Sequence, residues 1–331
     1  MCGDVLQAAS QPIGLTPRED LIANNAAFGL TYGSGLSGNL QAQAAFQRAA
    51  QRWADVLRDP VTINLNLDYQ PLGSGILGQS SSTMLAGGYD TVRNLVAGGV
   101  EGKPRELSLL PNLPTSSQLS VRLPSGFALD GTSWLTSANY KALGGAYSGS
   151  DGSITFSSNF SWDFDASDGI TPGAYDFEGI AVHEIGHNLG FVSEEDYVDS
   201  VLHNGQVATD VWPRPLDYFR FLTSDLGSGF DFTTTPRDLV PGGSQSFYHG
   251  DGSALMSTGQ YYGDGRQASH WKDNLGIGIL DPTAAAGELL SISNNDLAAL
   301  DLIGWDVVPE PATLSLLALG GLAILRRRKA S

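Results

Sequence analysis

Residues 181–191 read AVHEIGHNLGF, and this segment constrains the fold more than any other part of the 331-residue chain. It places His183, Glu184 and His187 in the order H-E-x-x-H, and residues i and i+4 of an α-helix lie on one face. Gly190 stands where such a helix has to end, because glycine adopts the left-handed conformation of a helix C-cap without steric cost. The sequence therefore predicts a helix that brings two imidazoles and a carboxylate together and then turns back beneath them.

These residue types suit one kind of chemistry. Two neutral imidazoles bind Zn²⁺ well, a third protein ligand completes the set, and the fourth position stays open for water. Bound zinc lowers the pKa of that water to about 7, and a neighbouring carboxylate can accept its proton. We therefore predict His183 and His187 as zinc ligands and Glu184 as a general base. A chance match on a surface helix is the alternative, but the chain has only five histidines, and Gly190 is in place.

The third zinc ligand does not follow from this segment. The remaining histidines are His203, His249 and His270, and acidic residues follow the helix closely. The surroundings of His270, ASHWKDN, are the most informative of these neighbourhoods. A carboxylate from Glu194 or Glu195 is an alternative third ligand, although such carboxylates usually come from a second helix farther along a chain.

The two segments AVHEIGHNLGF and ASHWKDN together resemble leishmanolysin-type metalloproteases, a branch of the metzincins with a long insertion before the third histidine. Most metzincins carry that histidine three residues after the glycine, where this chain has Ser193. The resemblance implies His270 as the third ligand, 83 residues after His187. Residues 293–305, SNNDLAALDLIGW, resemble the helix that follows the active site in these enzymes.

A still closer resemblance is to bacterial predicted metalloproteases that carry the same two zinc segments and a C-terminal sorting tag. It covers the chain from about residue 22 to the end. It implies an α+β fold: a metzincin-like zincin domain with a mixed sheet, an active-site helix and a loop-rich C-terminal lobe.

One feature of the metzincins is missing. They have a methionine in a tight turn below the zinc, after the third histidine, whereas no methionine follows His270 in this chain. The corresponding segment, residues 276–282, reads GIGILDP, and we assign the place of the turn residue to Leu280. Leucine for methionine is nearly volume-conserving. Met256 is the alternative, but it precedes the third ligand and so breaks the order of the family.

The C-terminus carries a second strong pattern. Pro309, Glu310 and Pro311 precede twelve largely apolar residues, 314–325, and four basic residues, 326–329. A permanent membrane span needs about 20 residues, and a basic cluster stays on the cytoplasmic side. The pattern resembles the PEP-CTERM sorting signal. It implies export, transient membrane contact through the tail, and processing near Pro309-Glu310-Pro311 by an exosortase-type enzyme. After processing, the protein is expected at the cell surface or in the extracellular matrix of a Gram-negative bacterium. A tail helix packed on the domain is the alternative.

The sequence thus divides into a tail at residues 1–20, a metalloprotease domain at 21–306 and a sorting signal at 307–331. No signal peptide is visible in the tail, so we expect the true start to lie upstream. The net charge of −17 argues against a nucleic-acid partner. Four Asp-Gly pairs indicate turns, with Ca²⁺ binding by their carboxylates as the weaker interpretation.

Apolar periodicity predicts the elements around the motif. We expect helices at residues 41–57, 89–97, 137–143 and 175–190, the last carrying the zinc motif, and strands at 61–67 and 152–157. The aromatic segment 159–165 is expected to form core and turn. In residues 217–221 the aromatic side chains are expected to alternate as buried residues do, and the segment is expected to pack under the zinc helix.

The function expected from these patterns is that of an exported zinc endopeptidase acting on a peptide or protein substrate. A surface or matrix adhesion protein with a vestigial zinc site is the alternative from another class. The intact Glu184 argues against it, because a structural zinc site needs no base.

Overall fold

The structure is a computed structural model that describes residues 7–12, 25–206 and 209–308. Pro309, Glu310 and Pro311 lie outside the described residues. The fold is α+β, as predicted, with a mixed sheet.

The described residues contain seven α-helices. They are α1 Leu40–Ala54, α2 Tyr89–Gly98, α3 Pro104–Leu109, α4 Ser137–Ala142, α5 Phe177–Asn188, α6 Glu195–His203 and α7 Asn294–Ile303. Four short 3-10 helices span Leu110–Asn112, Ala166–Asp168, Pro215–Phe219 and Thr223–Asp225.

The longer strands lie in the first half of the chain. The strands are β1 Gln7–Pro12, β2 Ala27–Tyr32, β3 Thr62–Gln70, β4 Gly78–Gly88, β5 Val121–Arg122, β6 Ala128–Leu129, β7 Thr132–Thr136, β8 Gly152–Ser157, β9 Trp162–Asp163, β10 Tyr175–Asp176, β11 Asp210–Val211, β12 Arg220–Leu222, β13 Arg237–Asp238, β14 Gln245–Tyr248 and β15 Ser253–Met256. The first of them, β1, lies within the segment that the sequence analysis treats as a tail.

The main sheet has the order β1-β4-β8-β3-β2. Strands β2, β3 and β8 run parallel to one another, and β4 runs antiparallel to β8. Residues 78–82 of β4 pair with β8, whereas residues 83–88 pair with β1 and β7.

Helices α1 and α5 pack on each other and on this sheet. The buried face of α1 consists of small and aromatic residues, including Phe46 and Trp53. Phe46 contacts Phe156 of β8 and Phe177 of α5 edge to face, with ring centroids 5.1 Å apart in both pairs. Trp53 donates its indole N–H to the carbonyl of Val182 at 2.9 Å. The sheet and α1 thereby fix the position of the zinc-motif helix.

Most of the predicted elements are present at nearly the predicted places. The helix expected at 41–57 is α1, the strand expected at 61–67 is β3, and the strand at 152–157 is β8. The zinc-motif helix begins at Phe177, two residues later than predicted, because residues 175–176 form a strand with β9. The rings of Phe160, Trp162 and Phe164 pack against the core, as expected for 159–165.

Residues 217–221 differ from the prediction. Tyr218, Phe219, Arg220 and Phe221 are all buried, so no alternation exists. The segment is the end of a 3-10 helix followed by β12, and its rings contact Tyr89, Phe232 and Phe247. A 3-10 helix has no period of two, which explains the error.

One of the four Asp-Gly pairs is not a turn. Asp151 is buried, pairs with Lys141 at 2.5 Å and accepts the amide N–H of Asn64 at 2.7 Å. A Cβ on Gly152 would lie 1.7 Å from Asn188 Oδ1, so glycine here permits the close approach of β8 and α5. Gly169 and Gly265, at φ +97° and +86°, fit the turn prediction.

Candidate metal centre

Helix α5 is buried on every side except at Glu178. An apolar helix without a polar face has to lie inside a protein. Its N-terminus is capped by Asp176, whose side chain accepts the amide N–H of Gly179 at 2.8 Å. The helix therefore carries its polar residues, His183, Glu184 and His187, into the interior, where each polar atom needs a partner or a ligand.

Gly190 ends this helix as predicted. Its φ of +118° is left-handed, and Phe191 N donates to Gly186 O at 3.2 Å. A Cβ on Gly190 would also lie 3.1 Å from Ile303 Cδ1. The turn directs the carbonyl of Phe191 back to His187, whose Nδ1 it binds at 2.8 Å.

His270 reaches the same place from the C-terminal lobe. Met256 at the end of β15 forms a bridge with Trp271, and Ser257 N donates to His270 O at 3.0 Å. Trp271 N donates to Leu280 O at 2.9 Å. The segment around His270 is thus held between β15 and the turn at residues 277–280.

The three predicted zinc ligands converge. His183 Nε2 lies 3.0 Å from His187 Nε2, His187 Nε2 lies 3.2 Å from His270 Nε2, and His270 Nε2 lies 3.3 Å from His183 Nε2. A tetrahedral zinc ion with Zn–N bonds of 2.0–2.1 Å requires nitrogens roughly 3.3–3.4 Å apart. The three observed separations, 3.0, 3.2 and 3.3 Å, are at or slightly below this value, so the rings need to move apart by only a few tenths of an ångström to hold a zinc ion.

The other ring nitrogens decide the tautomers. Nδ1 of His183 contacts Ile279 O at 2.8 Å, that of His187 contacts Phe191 O, and that of His270 contacts Gln267 O at 3.1 Å. A carbonyl oxygen only accepts, so each Nδ1 carries the hydrogen, and each Nε2 presents a lone pair. Three lone pairs facing one another within 3.3 Å repel unless a cation lies between them. The three side chains form a group that could hold a metal ion.

Burial favours the neutral form of two of the three imidazoles. His183, His187 and His270 are exposed by 4%, 0% and 1% respectively. Burial lowers the pKa of His183 to about 3, and it lowers the pKa of His270 well below the usual value, with the neighbouring imidazoles acting in the same direction. Neutral imidazole is the form that binds zinc.

Glu184 lies on the side of α5 that faces β4. Its side chain is fully buried, and a Cβ on Gly78 would lie 2.9 Å from Glu184 Oε1. Gly78 is the first residue of β4. Sequence analysis missed Gly78, because an isolated glycine in a polar, small-residue segment gives no signal that a carboxylate lies against it.

Leu280, to which the sequence analysis assigned the place of the turn residue, packs against α5. A Cβ added to Gly186, which lies between the two histidines of α5, would be 3.1–3.2 Å from the two methyl groups of Leu280. Met256, the alternative, has its sulfur 3.0 Å from Arg220 Nη1.

Asp296, at the start of α7, stabilises the turn that carries Leu280. It accepts the indole N–H of Trp271 at 2.7 Å and the amide N–H of Ile279 at 2.8 Å.

Leu280→Met is expected to be nearly neutral. The leucine is buried, and a methionine of similar volume can follow the same surface of α5, at a cost below about 1.5 kcal/mol. Leu280→Ala leaves a cavity and is expected to cost about 2–5 kcal/mol. Urea unfolding of the two variants beside the wild type measures this difference. A methionine variant as unstable as the alanine variant would contradict the assignment.

The other candidate ligands lie elsewhere. His203 stacks on Tyr261 with ring centroids 3.8 Å apart, and His249 Nδ1 contacts Asp251 at 2.7 Å. The two glutamates are in buried ion pairs at 2.7 Å, Glu194 with Arg214 and Glu195 with Arg220. Burial raises the pKa of Glu194 to about 7 and that of Glu195 to about 8, with the paired guanidinium opposing the shift in each case.

Within residues 25–206 and 209–308, the three histidines are the one group of three or more such side chains arranged to hold a metal ion. No group of carboxylates of the kind considered for Ca²⁺ is found in that part of the chain.

Residues 307–329 match the PEP-CTERM protein-sorting motif. The match supports an exported bacterial protein that is processed by an exosortase-type enzyme and attached to the surface of a Gram-negative cell. Neither the curated proteins nor the solved structures contain a match to the chain. None of the described helices has the length and apolar character that crossing a membrane requires.

The folded domain overlaps the start of the sorting motif. Val307 forms a bridge with Leu57, and Val308 N donates to Val56 O at 2.9 Å. The hydrogen-bonded structure therefore continues two residues beyond position 306, up to the residue before Pro309.

Proposed function

We propose that the protein is a zinc-dependent endopeptidase that acts outside the cell that makes it. The observation that carries the proposal is the convergence of three Nε2 lone pairs, on His183, His187 and His270, beside the carboxylate-bearing residue Glu184. When bound, zinc supplies Lewis acidity at a substrate carbonyl and lowers the pKa of water.

The roles of the chain's own residues follow from their positions. The three imidazoles would hold the ion, and their Nδ1–H groups, bound to backbone carbonyls, fix the ring orientations. Glu184 accepts a proton from the attacking water and returns it to the leaving amine. No further titrating group is needed for hydrolysis of a peptide bond.

The position of Glu184 against a strand supports a peptide as the substrate. Gly78 is the first residue of β4, and a Cβ there would lie 2.9 Å from Glu184 Oε1. Extended peptides bind to strands through main-chain groups. A peptide held beside the start of β4 would pass the general base.

A surface adhesion protein with a vestigial zinc site remains the alternative proposal. The sorting motif fits either function, because it governs location only. The burial of Glu184 beside the histidines favours the peptidase, since an ion of purely structural function gains nothing from a neighbouring base.

Metal removal tests the proposal. The purified protein is expected to contain one zinc per chain and to cleave casein or gelatin. A chelator should abolish cleavage, and added zinc should restore it, because the proposed mechanism depends on the zinc ion to lower the pKa of the attacking water. Zinc content and cleavage are measured on the same samples. Zinc binding without cleavage would favour the adhesion protein, and cleavage that survives complete zinc removal would exclude the mechanism.

The sorting motif leads to a separate prediction. We expect the mature protein in its native host to end close to Pro309-Glu310-Pro311 and to lie at the cell surface or in the matrix. Replacing the four basic residues 326–329 with uncharged ones should disturb retention and processing, because the charge holds the tail at the membrane. Peptidase activity of the purified domain should not change. Mass spectrometry of the C-terminus decides it, and secreted protein still ending at Ser331 would refute processing.

A further inference from the structure

The acidic residues after the zinc helix have three different partners. Glu194 and Glu195 pair with arginines, whereas Asp196, in the first turn of α6, binds the segment that carries His270. Asp196 Oδ1 accepts the amide N–H of Ala268 at 2.5 Å, and Oδ2 accepts the amide N–H of Ser269 at 2.9 Å.

Ser269 extends this contact to the zinc helix. Its hydroxyl donates to Asp196 Oδ2 and accepts the amide N–H of Ser193 at 2.9 Å. Ser193 is the third residue after Gly190. Phe191, two residues before Ser193, binds Nδ1 of His187 through its carbonyl oxygen. One carboxylate thus joins the segment just after the zinc helix to the two residues that precede His270.

This contact acts on the position of the third imidazole. The two amides that Asp196 binds fix the backbone immediately before His270, and that backbone sets the direction in which the side chain leaves. His270 lies 83 residues from His187 along the chain, so no local spacing holds the two rings together. Charge-assisted hydrogen bonds to consecutive amides are stronger than neutral ones.

We propose that Asp196 is a positioning residue that delivers His270 to the metal site. The inference rests on the proposed zinc site. Asp196 is not one of the three side chains grouped to hold the ion; it acts through Ala268 and Ser269. The acidic run that sequence analysis considered as a source of the third ligand therefore supplies the residue that holds the third ligand in place.

Asp199 provides a matched control. It lies on the same helix, one turn later, and its carboxylate also accepts two consecutive backbone amides, those of Tyr261 and Tyr262, at 2.8 and 2.9 Å. Its partners belong to a loop without a zinc ligand. Asp196→Asn and Asp199→Asn therefore remove the same kind of interaction, and only the first touches the residues before His270.

The test is zinc affinity of the full chain, measured by competition with a chelating dye, with the absorption spectrum of bound Co²⁺ as a second readout. Asp196→Asn is expected to weaken zinc binding by about 10–100-fold, the usual effect of losing an outer partner of a ligand, and to alter the Co²⁺ spectrum. Asp199→Asn should keep wild-type affinity and spectrum. Thermal unfolding of the metal-free proteins shows whether each variant folds.

Ser269→Ala keeps the proposal testable if Asp196→Asn does not fold. It removes the hydroxyl link to Asp196 and Ser193 and should also weaken zinc binding. Unchanged affinity in the folded Asp196→Asn protein, or an equal loss in Asp199→Asn, would overturn the positioning role while leaving the peptidase intact. A wild type that binds no zinc would overturn the proposed function itself, and the inference with it.

Discussion

Glu184→Gln is expected to bind zinc like the wild type and to lose peptide hydrolysis by about 10²–10⁴-fold in kcat, the usual contribution of a general base. The three imidazoles do not depend on Glu184 for their ring orientations, since their Nδ1 atoms bind the carbonyls of Ile279, Phe191 and Gln267. The amide keeps the volume of the buried side chain but cannot accept the proton of water. Glu184→Ala should behave similarly.

Glu178→Gln is the matched control for this variant. Glu178 lies in the first turn of the same helix, is partly buried, and pairs with Arg48 at 2.7 Å and with Arg52 at 3.7 Å. Its substitution removes one carboxylate from α5 without touching the three histidines. Zinc content and kcat are measured for both variants. Full activity in Glu184→Gln, or equal loss in Glu178→Gln, would reject the mechanism.

His270→Ala is expected to lower zinc affinity by more than about 100-fold. Loss of a residue that only positions a zinc ligand usually costs about 10–100-fold, and His270 is proposed to be a ligand itself. Two imidazoles on one helix leave an ion with two protein ligands, whereas protein zinc sites use at least three. Zinc is expected to stabilise the folded wild type by about 4 kcal/mol when its concentration is about 1,000 times Kd. This gain in the free energy of unfolding should largely disappear in His270→Ala.

The two remaining histidines outside the triad serve as controls for His270. His203 stacks on Tyr261, and His249 contacts Asp251, so neither faces the three Nε2 atoms. His203→Ala and His249→Ala should keep wild-type zinc affinity and the same zinc-dependent rise in melting temperature. Loss of zinc in His249→Ala but not in His270→Ala would show that the ligand set is wrongly assigned.

Strand β4 shows where sequence reasoning stopped. Residues 78–88 read GQSSSTMLAGG, without the β-branched alternation that indicates a strand. They are extended because β8 pairs with residues 78–82, and β1 and β7 pair with residues 83–88. By contrast, β3 alternates buried and more exposed residues, and its position was predicted from that pattern.

The sequence by itself determined the half of the site that is local. His183, Glu184, His187 and the stop at Gly190 follow from the period of a helix and the conformational freedom of glycine, which depend only on residues a few positions apart. The resemblance to a known family, carried by residues around His270, suggested the third ligand.

Only the tertiary structure brought His270 to the other two rings. It also placed Asp196 behind the third ligand, Gly78 against Glu184 and the 3-10 helix before Arg220. The contacts of His270, Asp196 and Glu184 join segments that lie tens of residues apart, and no periodicity in the sequence encodes them. They depend on how buried groups satisfy one another's hydrogen bonds once the chain has folded.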